Sequence, residues 1–123
     1  MATIAIIEDD IAIVQMYRMK FEAEGYDVIT AGDGRAGLTL LSNTDVDIVL
    51  LDLMMPNMNG DEMLEQLRKT DYGKKLPVIV LTNMGENEAP NSIKQDDMVK
   101  DFIVKASMTP KDVAETVANV LDN

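Results

Sequence analysis

The chain contains neither cysteine nor histidine. Without cysteine it forms no disulfide bond, no zinc–thiolate site and no cysteine nucleophile. Without histidine it has no histidine-based catalytic triad, no imidazole metal ligand and no phosphohistidine of its own. Carboxylates, hydroxyls and amines remain as the side-chain groups that can carry chemistry.

Basic residues are also scarce. The 11 lysines and arginines face 22 aspartates and glutamates, which gives a formal net charge of −11. Direct nucleic-acid binding requires a basic patch that neutralises phosphates, so this balance argues against it. The same balance argues against docking on anionic lipid. We therefore expect no direct nucleic-acid partner and no membrane contact.

No apolar stretch approaches the roughly 18 residues that a membrane span needs. The apolar start Met1–Ile7 is too short for a signal peptide and is followed at once by acidic residues. The length of 123 residues matches one domain, and 46% hydrophobic residues suit a folded core. We expect a single cytoplasmic domain over residues 1–123, with no output domain.

Short apolar runs alternate with longer amphipathic segments. Five runs predict strands: Thr3–Ile7, Tyr26–Thr30, Asp47–Leu53, Leu76–Thr82 and Phe102–Lys105. Four segments predict helices with apolar stripes: 10–24 (Ile11, Val14, Phe21), 35–42 (Ala36, Leu40, Leu41), 61–69 (Met63, Leu64, Leu67) and the segment from Pro110, with Thr109 as N-cap (Val113, Val117, Val120, Leu121). Between residues 83 and 101 the pattern is weak, and Pro90 confines any helix to the residues after it. This alternation predicts an α/β fold, a doubly wound parallel sheet with helices on both faces.

Chemistry-bearing residues collect at the carboxyl ends of the predicted strands, where parallel sheets place their ligands. Glu8 and Asp9 follow the first strand, Asp52 lies near the end of the third, Thr82 ends the fourth and Lys105 ends the fifth. Clustered carboxylates repel one another unless a cation lies among them. Because oxygen ligands without sulfur or imidazole suit Mg²⁺, the cluster predicts a magnesium site that receives a phosphate.

Four motifs at these strand ends are similar to those of a known family. They read I-I-E-D-D, I-V-L-L-D-L-M-M-P-N-M-N-G, V-I-V-L-T and F-I-V-K, in that order. Together they resemble the receiver domain of bacterial response regulators, over essentially the whole chain. The resemblance implies a flavodoxin-like sheet with strand order 2-1-3-4-5.

The resemblance also implies roles for individual residues. Asp52 matches the phosphoacceptor, which attacks a phosphoryl group to form an aspartyl phosphate. Asp9 matches a direct Mg²⁺ ligand and Glu8 a ligand that acts through water. Asp52 itself and the backbone carbonyl of Met54 complete the implied metal ligands.

Three further residues match the switch of the family. Thr82 resembles the hydroxyl that moves toward the phosphoryl oxygens, and Lys105 resembles the ammonium that pairs with them. Phe102 falls where the family has its switch aromatic. Asn83 after Thr82 and Ala106 after Lys105 depart from the family, which usually has a small residue after the hydroxyl and a cis-proline after the lysine. The segment before the fifth strand also lacks the glycine that often ends the fourth helix in the family. We expect the Lys105–Ala106 peptide to be trans, because a cis bond before a non-proline residue costs about 2.5–4 kcal/mol.

The implied function is a phosphorylation-activated signalling switch that is no metabolic enzyme, although it catalyses its own phosphoryl transfer and slow dephosphorylation. The implied partners are a sensor histidine kinase or phosphotransfer protein and an unidentified downstream protein. The implied state is a monomer that dimerises, when phosphorylated, through the fourth helix, fifth strand and fifth helix. One alternative is a receiver-fold interaction module that works without phosphorylation. An aspartyl-phosphate phosphohydrolase is disfavoured because Met54 stands where such enzymes have a second aspartate, and a flavodoxin-like electron carrier because the loop after the first strand is acidic.

Overall fold

The strands form one parallel sheet in the computed structural model, which describes residues 2–122. They are β1 (Thr3–Ile7), β2 (Asp27–Ala31), β3 (Ile48–Leu51), β4 (Val78–Thr82) and β5 (Val99–Val104). The sheet order is β2-β1-β3-β4-β5 and every neighbouring pair is parallel. The predicted fold class and strand order are therefore confirmed.

A helix follows each strand along the chain. The helices are α1 (Ile11–Ala23), α2 (Gly34–Asn43), α3 (Gly60–Arg68), the short α4 (Asn91–Lys94) and α5 (Pro110–Asp122). Short 3₁₀ turns lie at Glu86–Glu88 and Lys105–Ser107. Within residues 2–122, no helix has the length and apolar character needed to cross a bilayer.

Side-chain caps fix where α1 and α5 begin. The Asp10 carboxylate accepts hydrogen bonds from the backbone N–H groups of Ala12 and Ile13, so Asp10 is the N-cap of α1. At α5, the N–H of Asp112 donates to the Thr109 hydroxyl, and the N–H of Thr109 donates to the Asp112 carboxylate. This reciprocal pair is a capping box and confirms the predicted N-cap Thr109.

The core consists of two apolar clusters, one on each face of the sheet. Every residue of β3 and of β4 is buried, as expected for central strands covered on both faces. On one face α1 and α5 contribute Val14, Tyr17, Phe21, Val113, Ala114 and Val117. On the other face α2, α3 and α4 contribute Leu41, Met63, Leu64, Leu67 and Ile93. Helices therefore cover the sheet on both faces.

Three sequence-based predictions need correction. Ile11 was expected on the inward face of α1, but it is 76% exposed because the inward stripe starts at Val14. Ala36 was expected inward on α2, but Gly37 is the buried residue there. The fifth strand begins at Val99, ahead of the predicted start, and Lys105 lies just beyond its end in a 3₁₀ turn.

The outer strands of the sheet are β2 and β5. The register of β5 against β4 is irregular, since Val78 pairs with Val99 and Ile79 pairs with Asp101. Lys100 is the extra residue, and its side chain and that of Asp101 are exposed. The outer edge of β5 therefore carries a bulge and two charges.

Candidate functional site

A pocket of about 290 Å³ lies at the carboxyl edge of the sheet. Its lining includes all five side chains that the sequence placed at the strand ends, Glu8, Asp9, Asp52, Thr82 and Lys105. Met54 and Asn83 also line it. Parallel register explains the convergence, because residues that follow neighbouring strands emerge at one edge.

Asp52 follows β3 directly and is only 4% exposed. Its backbone N–H donates to the carbonyl of Ile7 at 3.0 Å, which joins the end of β3 to the end of β1. One carboxylate oxygen accepts the N–H of Met54 at 3.2 Å. Asp52 is thus a buried carboxylate in a fixed orientation.

The carboxylates of Glu8, Asp9 and Asp52 form a compact cluster. Each offers an oxygen, and these oxygens lie within 4.8 Å of one another. Glu8 and Asp52 are buried, whereas Asp9 is exposed at the mouth of the pocket. An oxygen-only donor set of this size, partly open to water, fits Mg²⁺, which keeps several waters and takes one or two carboxylates.

Lys105 is the cation that the structure places among these acids. Its Nζ donates to the Glu8 carboxylate oxygens at 2.9 and 2.8 Å and to Asp52 Oδ2 at 3.1 Å. Burial alone lowers the pKa of Lys105, but its hydrogen bonds to Glu8 and Asp52 outweigh that effect and raise the pKa above 10.5. The ammonium therefore stays charged and offsets part of the negative charge of the cluster.

The pKa of Glu8 lies above that of an exposed carboxylate. Burial raises its pKa from 4.5 to about 7, and the neighbouring Asp52 adds to the rise, while the hydrogen bond from Lys105 opposes it. Both carboxylate oxygens accept hydrogen bonds from Lys105, and one also accepts the N–H of Asp10 at 3.2 Å. Glu8 is thus bound to Lys105 more closely than Asp52 is.

Thr82 and Phe102 lie on the same face of the sheet but not in the same cavity. Thr82 is fully buried, and its hydroxyl accepts the N–H of Met84 at 3.3 Å. It pairs with Val104, two residues after Phe102, so the alternation of strand residues puts both side chains on one face. Phe102 lines a separate groove of about 280 Å³ beside Ile93 of α4.

The departures from the family pattern have local solutions. All peptide bonds of residues 2–122 are trans, which confirms the prediction for Lys105–Ala106. Near the end of α4, where the family often has glycine, the Asp96 carboxylate accepts the N–H of Met98 at 2.9 Å and the Nε of Arg68 at 2.8 Å. A side-chain turn therefore makes the reversal into β5.

Two residues that the sequence did not single out lie beside the site. Asp33 and Asn57 join the loop before α2 to the loop that follows Asp52, through a side-chain hydrogen bond of 2.9 Å. The available signal was the pair of turn sequences G-D-G and P-N-M-N-G, each of which predicts a turn but not a contact between the two.

Solved structures of receiver proteins have the same architecture. The chemotaxis protein CheY4 of Vibrio cholerae is 29% identical, with a TM-score of 0.88 over 98% of each chain. A CheY-like receiver domain protein of Methanospirillum hungatei is 28% identical, with a TM-score of 0.89 over 99% of this chain and 94% of that one. TrrA of Thermotoga maritima, solved in complex with Mg²⁺ and BeF, is 26% identical, with a TM-score of 0.84 over 98% of this chain and 99% of that one.

Two longer regulators are similar in sequence. The DNA-binding dual master transcriptional regulator RpaA of Synechocystis is 35% identical over 98% of this chain and 48% of its own length. Response regulator SaeR of Staphylococcus aureus is 31% identical over 98% of this chain and 51% of its own length. The chain thus spans about half the length of these relatives.

Receiver domains of two-component systems act as phosphorylation-activated switches. They typically bind Mg²⁺ at an acidic pocket and interact with histidine kinases or phosphotransfer proteins and with downstream targets. Residues 4–118 match the family described as the response regulator receiver domain, and the chain belongs to that family.

Proposed function

We propose that Asp52 accepts a phosphoryl group from the phosphohistidine of a sensor histidine kinase or phosphotransfer protein, and that the domain thereby changes the surface it offers to a downstream protein. The observation that supports this most directly is the buried Asp52 carboxylate, 3.1 Å from the ammonium of Lys105 and clustered with two further acids. A buried aspartate that only capped a strand would not require a neighbouring ammonium and two further carboxylates.

In the proposed step an oxygen of Asp52 attacks the phosphorus atom. The phosphorus–nitrogen bond breaks, the imidazole leaves, and an acyl phosphate forms. Residues 1–123 contain no histidine, so the donor histidine lies outside them. The modification changes the charge at Asp52 from −1 to about −2. Positioning and charge neutralisation accomplish such a transfer with little acid–base chemistry.

Four groups are proposed to hold Mg²⁺: Asp9, Asp52, the backbone carbonyl of Met54 and, through water, Glu8. The assignment of Glu8 to a water-mediated contact is supported by its two oxygens, both of which accept hydrogen bonds from Lys105. When bound, Mg²⁺ neutralises the negative charge of the carboxylates and the phosphoryl oxygens. Lys105 then pairs with the phosphoryl group in exchange for part of its contact with Glu8.

Thr82 and Phe102 are proposed to carry the change outward. Phosphoryl oxygens attract the Thr82 hydroxyl, which loses its contact with the N–H of Met84 and draws the chain after β4 toward the pocket. Phe102 lies on the same sheet face and fills the space that this movement leaves. Phosphorylation of Asp52 thereby shifts the balance between two packing arrangements of Thr82 and Phe102.

The test is incubation with acetyl phosphate and Mg²⁺, followed by intact-protein mass spectrometry. Wild-type protein is expected to gain one phosphoryl group, and Asp52→Asn none. Asp97→Asn is the matched control, because Asp97 is an exposed aspartate outside the pocket. A comparable mass gain in Asp52→Asn would contradict the assignment.

If the protein responds neither to Mg²⁺ nor to Mg²⁺–beryllium fluoride, the domain is instead a receiver-fold interaction module that works without phosphorylation. A pull-down that compares apo and beryllium fluoride-loaded protein identifies the downstream partner in either case.

We propose a cytoplasmic monomer that dimerises on phosphorylation through α4, β5 and α5. Size-exclusion chromatography of both forms tests that state.

A further inference from the structure

A strained turn lies in the loop that follows Asp52. The backbone N–H of Met58 donates to the carbonyl of Pro56 at 2.7 Å, and Asn57 between them has a φ of 65°. Within residues 2–122 it is the one non-glycine residue with positive φ. A γ-turn with positive φ is strained for a residue that carries a Cβ. The turn therefore depends on contacts from the surrounding structure.

Those contacts come from the loop before α2. Asn57 Nδ2 donates to Asp33 Oδ2 at 2.9 Å, and the N–H of Gly34 donates to the carbonyl of Met58 at 3.0 Å. The approach is so close that a Cβ at Gly34 would lie 2.6 Å from that carbonyl oxygen. The other oxygen of Asp33 accepts the N–H of Ala36 at 2.7 Å and caps α2. One carboxylate thus supports both a helix start and the strained turn.

The ends of the same loop are fixed to the phosphoacceptor. The N–H of Met54 donates to the Asp52 carboxylate at 3.2 Å, and the N–H of Gly60 donates to the carbonyl of Leu53 at 3.0 Å. A Cβ at Gly60 would collide with the backbone oxygen of Asp52. Because the loop is short and held at both ends, a shift of its middle at Asn57 displaces the backbone of Met54.

We propose that Asp33 and Asn57 form a positioning pair, which holds the strained turn so that the backbone carbonyl of Met54 faces the acidic pocket. Neither residue touches the pocket, and both act through the loop. The inference rests on the proposed function to the extent that the Met54 carbonyl is taken as a metal ligand. The contact itself and the strain that it supports do not depend on that assignment.

The experiment compares variants by two readouts: Mg²⁺ affinity from calorimetry, and hydrogen–deuterium exchange of residues 53–59. Asn57→Gly removes the pair at unchanged charge and tolerates positive φ. Asp33→Ser keeps a hydroxyl cap for α2 but has no second oxygen for Asn57. The double variant D33N/N57D reverses donor and acceptor at the wild-type net charge.

Both single variants are expected to bind Mg²⁺ about fivefold more weakly, the loss of one modest hydrogen bond, and to exchange residues 53–59 faster. D33N/N57D is expected to restore both properties. A structural role alone would lower the melting temperature and leave Mg²⁺ affinity at the wild-type value. Wild-type affinity and exchange in Asn57→Gly and Asp33→Ser would overturn the pair.

The outcome for the wild-type protein separates this inference from the proposed function. If wild type binds no Mg²⁺, the proposed metal site fails, and exchange of residues 53–59 still decides whether the pair holds the turn. Unchanged exchange in Asn57→Gly then overturns it. If wild type binds Mg²⁺ and the variants bind equally well, the pair alone fails.

Discussion

Lys105 donates its hydrogen bonds to two carboxylates, and this sharing shapes the resting site. Two of the contacts go to Glu8 and one goes to Asp52. An aspartate in place of Glu8 would be one methylene shorter and would reach the ammonium less easily. The longer side chain therefore holds Lys105 close to Asp52 in advance of any phosphoryl group.

We expect Met54 to control the lifetime of the proposed phosphorylated state. Its side chain is 60% exposed and lines the pocket, whereas Met84 packs against the core on the α3 face. Hydrolysis needs a water opposite the leaving carboxylate, and a thioether cannot orient one. We expect slow decay in wild type and a decay about tenfold faster in Met54→Asn, about 1.4 kcal/mol of barrier.

The measurement is the decay of phosphoprotein after the donor is removed. Met54→Leu is the control, because it keeps an apolar side chain and should decay at the wild-type rate. Met84→Glu should act in the same direction and more weakly, since Met84 is partly buried. Decay of wild type within seconds, or slower decay in both polar variants, would contradict the shielding.

At the scale of elements, an ion pair fixes the boundary between α4 and β5. Arg68 donates to both oxygens of Asp96 at 2.8 and 3.2 Å, and to the carbonyls of Gly73 and Leu76 at 2.7 Å each. The two charged side chains are 17% and 12% exposed. The end of α3, the loop after it and the start of β5 are thereby joined at one guanidinium.

Arg68→Met is expected to lower the free energy of unfolding by about 2–3 kcal/mol, because it removes the charged donor that Asp96 and two carbonyls share. Urea unfolding measures the change. Lys74→Met is the control, because its ion pair with Asp71 is largely exposed and exposed pairs contribute little to stability. Equal losses in the two variants would show that the Arg68 network contributes no more than a surface pair.

The cap of α5 gives the fold a dependence on pH. The hydrogen bond with the backbone N–H of Thr109 lowers the pKa of Asp112 below 3.8, and the Thr109 hydroxyl adds a smaller lowering. A lowered pKa in the folded state means that the ionised cap stabilises the fold above about pH 3.8, and that this contribution disappears as pH falls through the folded pKa. Asp112→Asn keeps an acceptor but cannot titrate.

The free energy of unfolding of Asp112→Asn, measured in urea between neutral pH and pH 2, should therefore fall less steeply below pH 4 than that of wild type. Parallel curves for the two proteins would contradict a titrating cap.

At the scale of the whole molecule, the pocket was predictable because it depends on strand ends. Apolar runs identify β1, β3 and β4 by composition, and a parallel sheet then brings Glu8, Asp52 and Thr82 to one edge whatever the helices do. The α3 stripe Met63, Leu64 and Leu67 is also confirmed, because this segment contains a full amphipathic period.

The failures arise where tertiary contacts override local pattern. Gly37 has no apolar side chain to count, yet it faces the sheet so closely that a Cβ there would lie 3.1 Å from Ile7. Polar Lys100 and Asp101 hid the start of β5, an outer strand that needs no continuous apolar run. The contact between Asp33 and Asn57 joins two turns that are distant in sequence, which no local pattern reports.

Mg²⁺ is expected to stabilise the entire fold by linkage. At a concentration one hundred times its dissociation constant, a ligand of the native state adds about 2.7 kcal/mol to the free energy of unfolding. Asp9→Ala removes a ligand and relieves repulsion in the cluster, so its apo form should melt higher than wild type and gain little from Mg²⁺.

Thermal melts across a Mg²⁺ titration, with potassium chloride at matched ionic strength, measure both effects. A wild-type melting temperature that does not change with Mg²⁺, or changes equally with potassium, would contradict a preformed site.

The bulged, charged edge at β5 restricts how any protein can associate with this domain. An incoming strand needs a regular row of free backbone groups. The bulge at Lys100 interrupts that row, and Lys100 and Asp101 place two charges there. Templated growth of the sheet into aggregates is thereby discouraged. Recognition by strand addition is discouraged as well. A protein that recognises the domain on this side must therefore contact its side chains. The identity of those side chains, rather than the backbone, then sets the specificity.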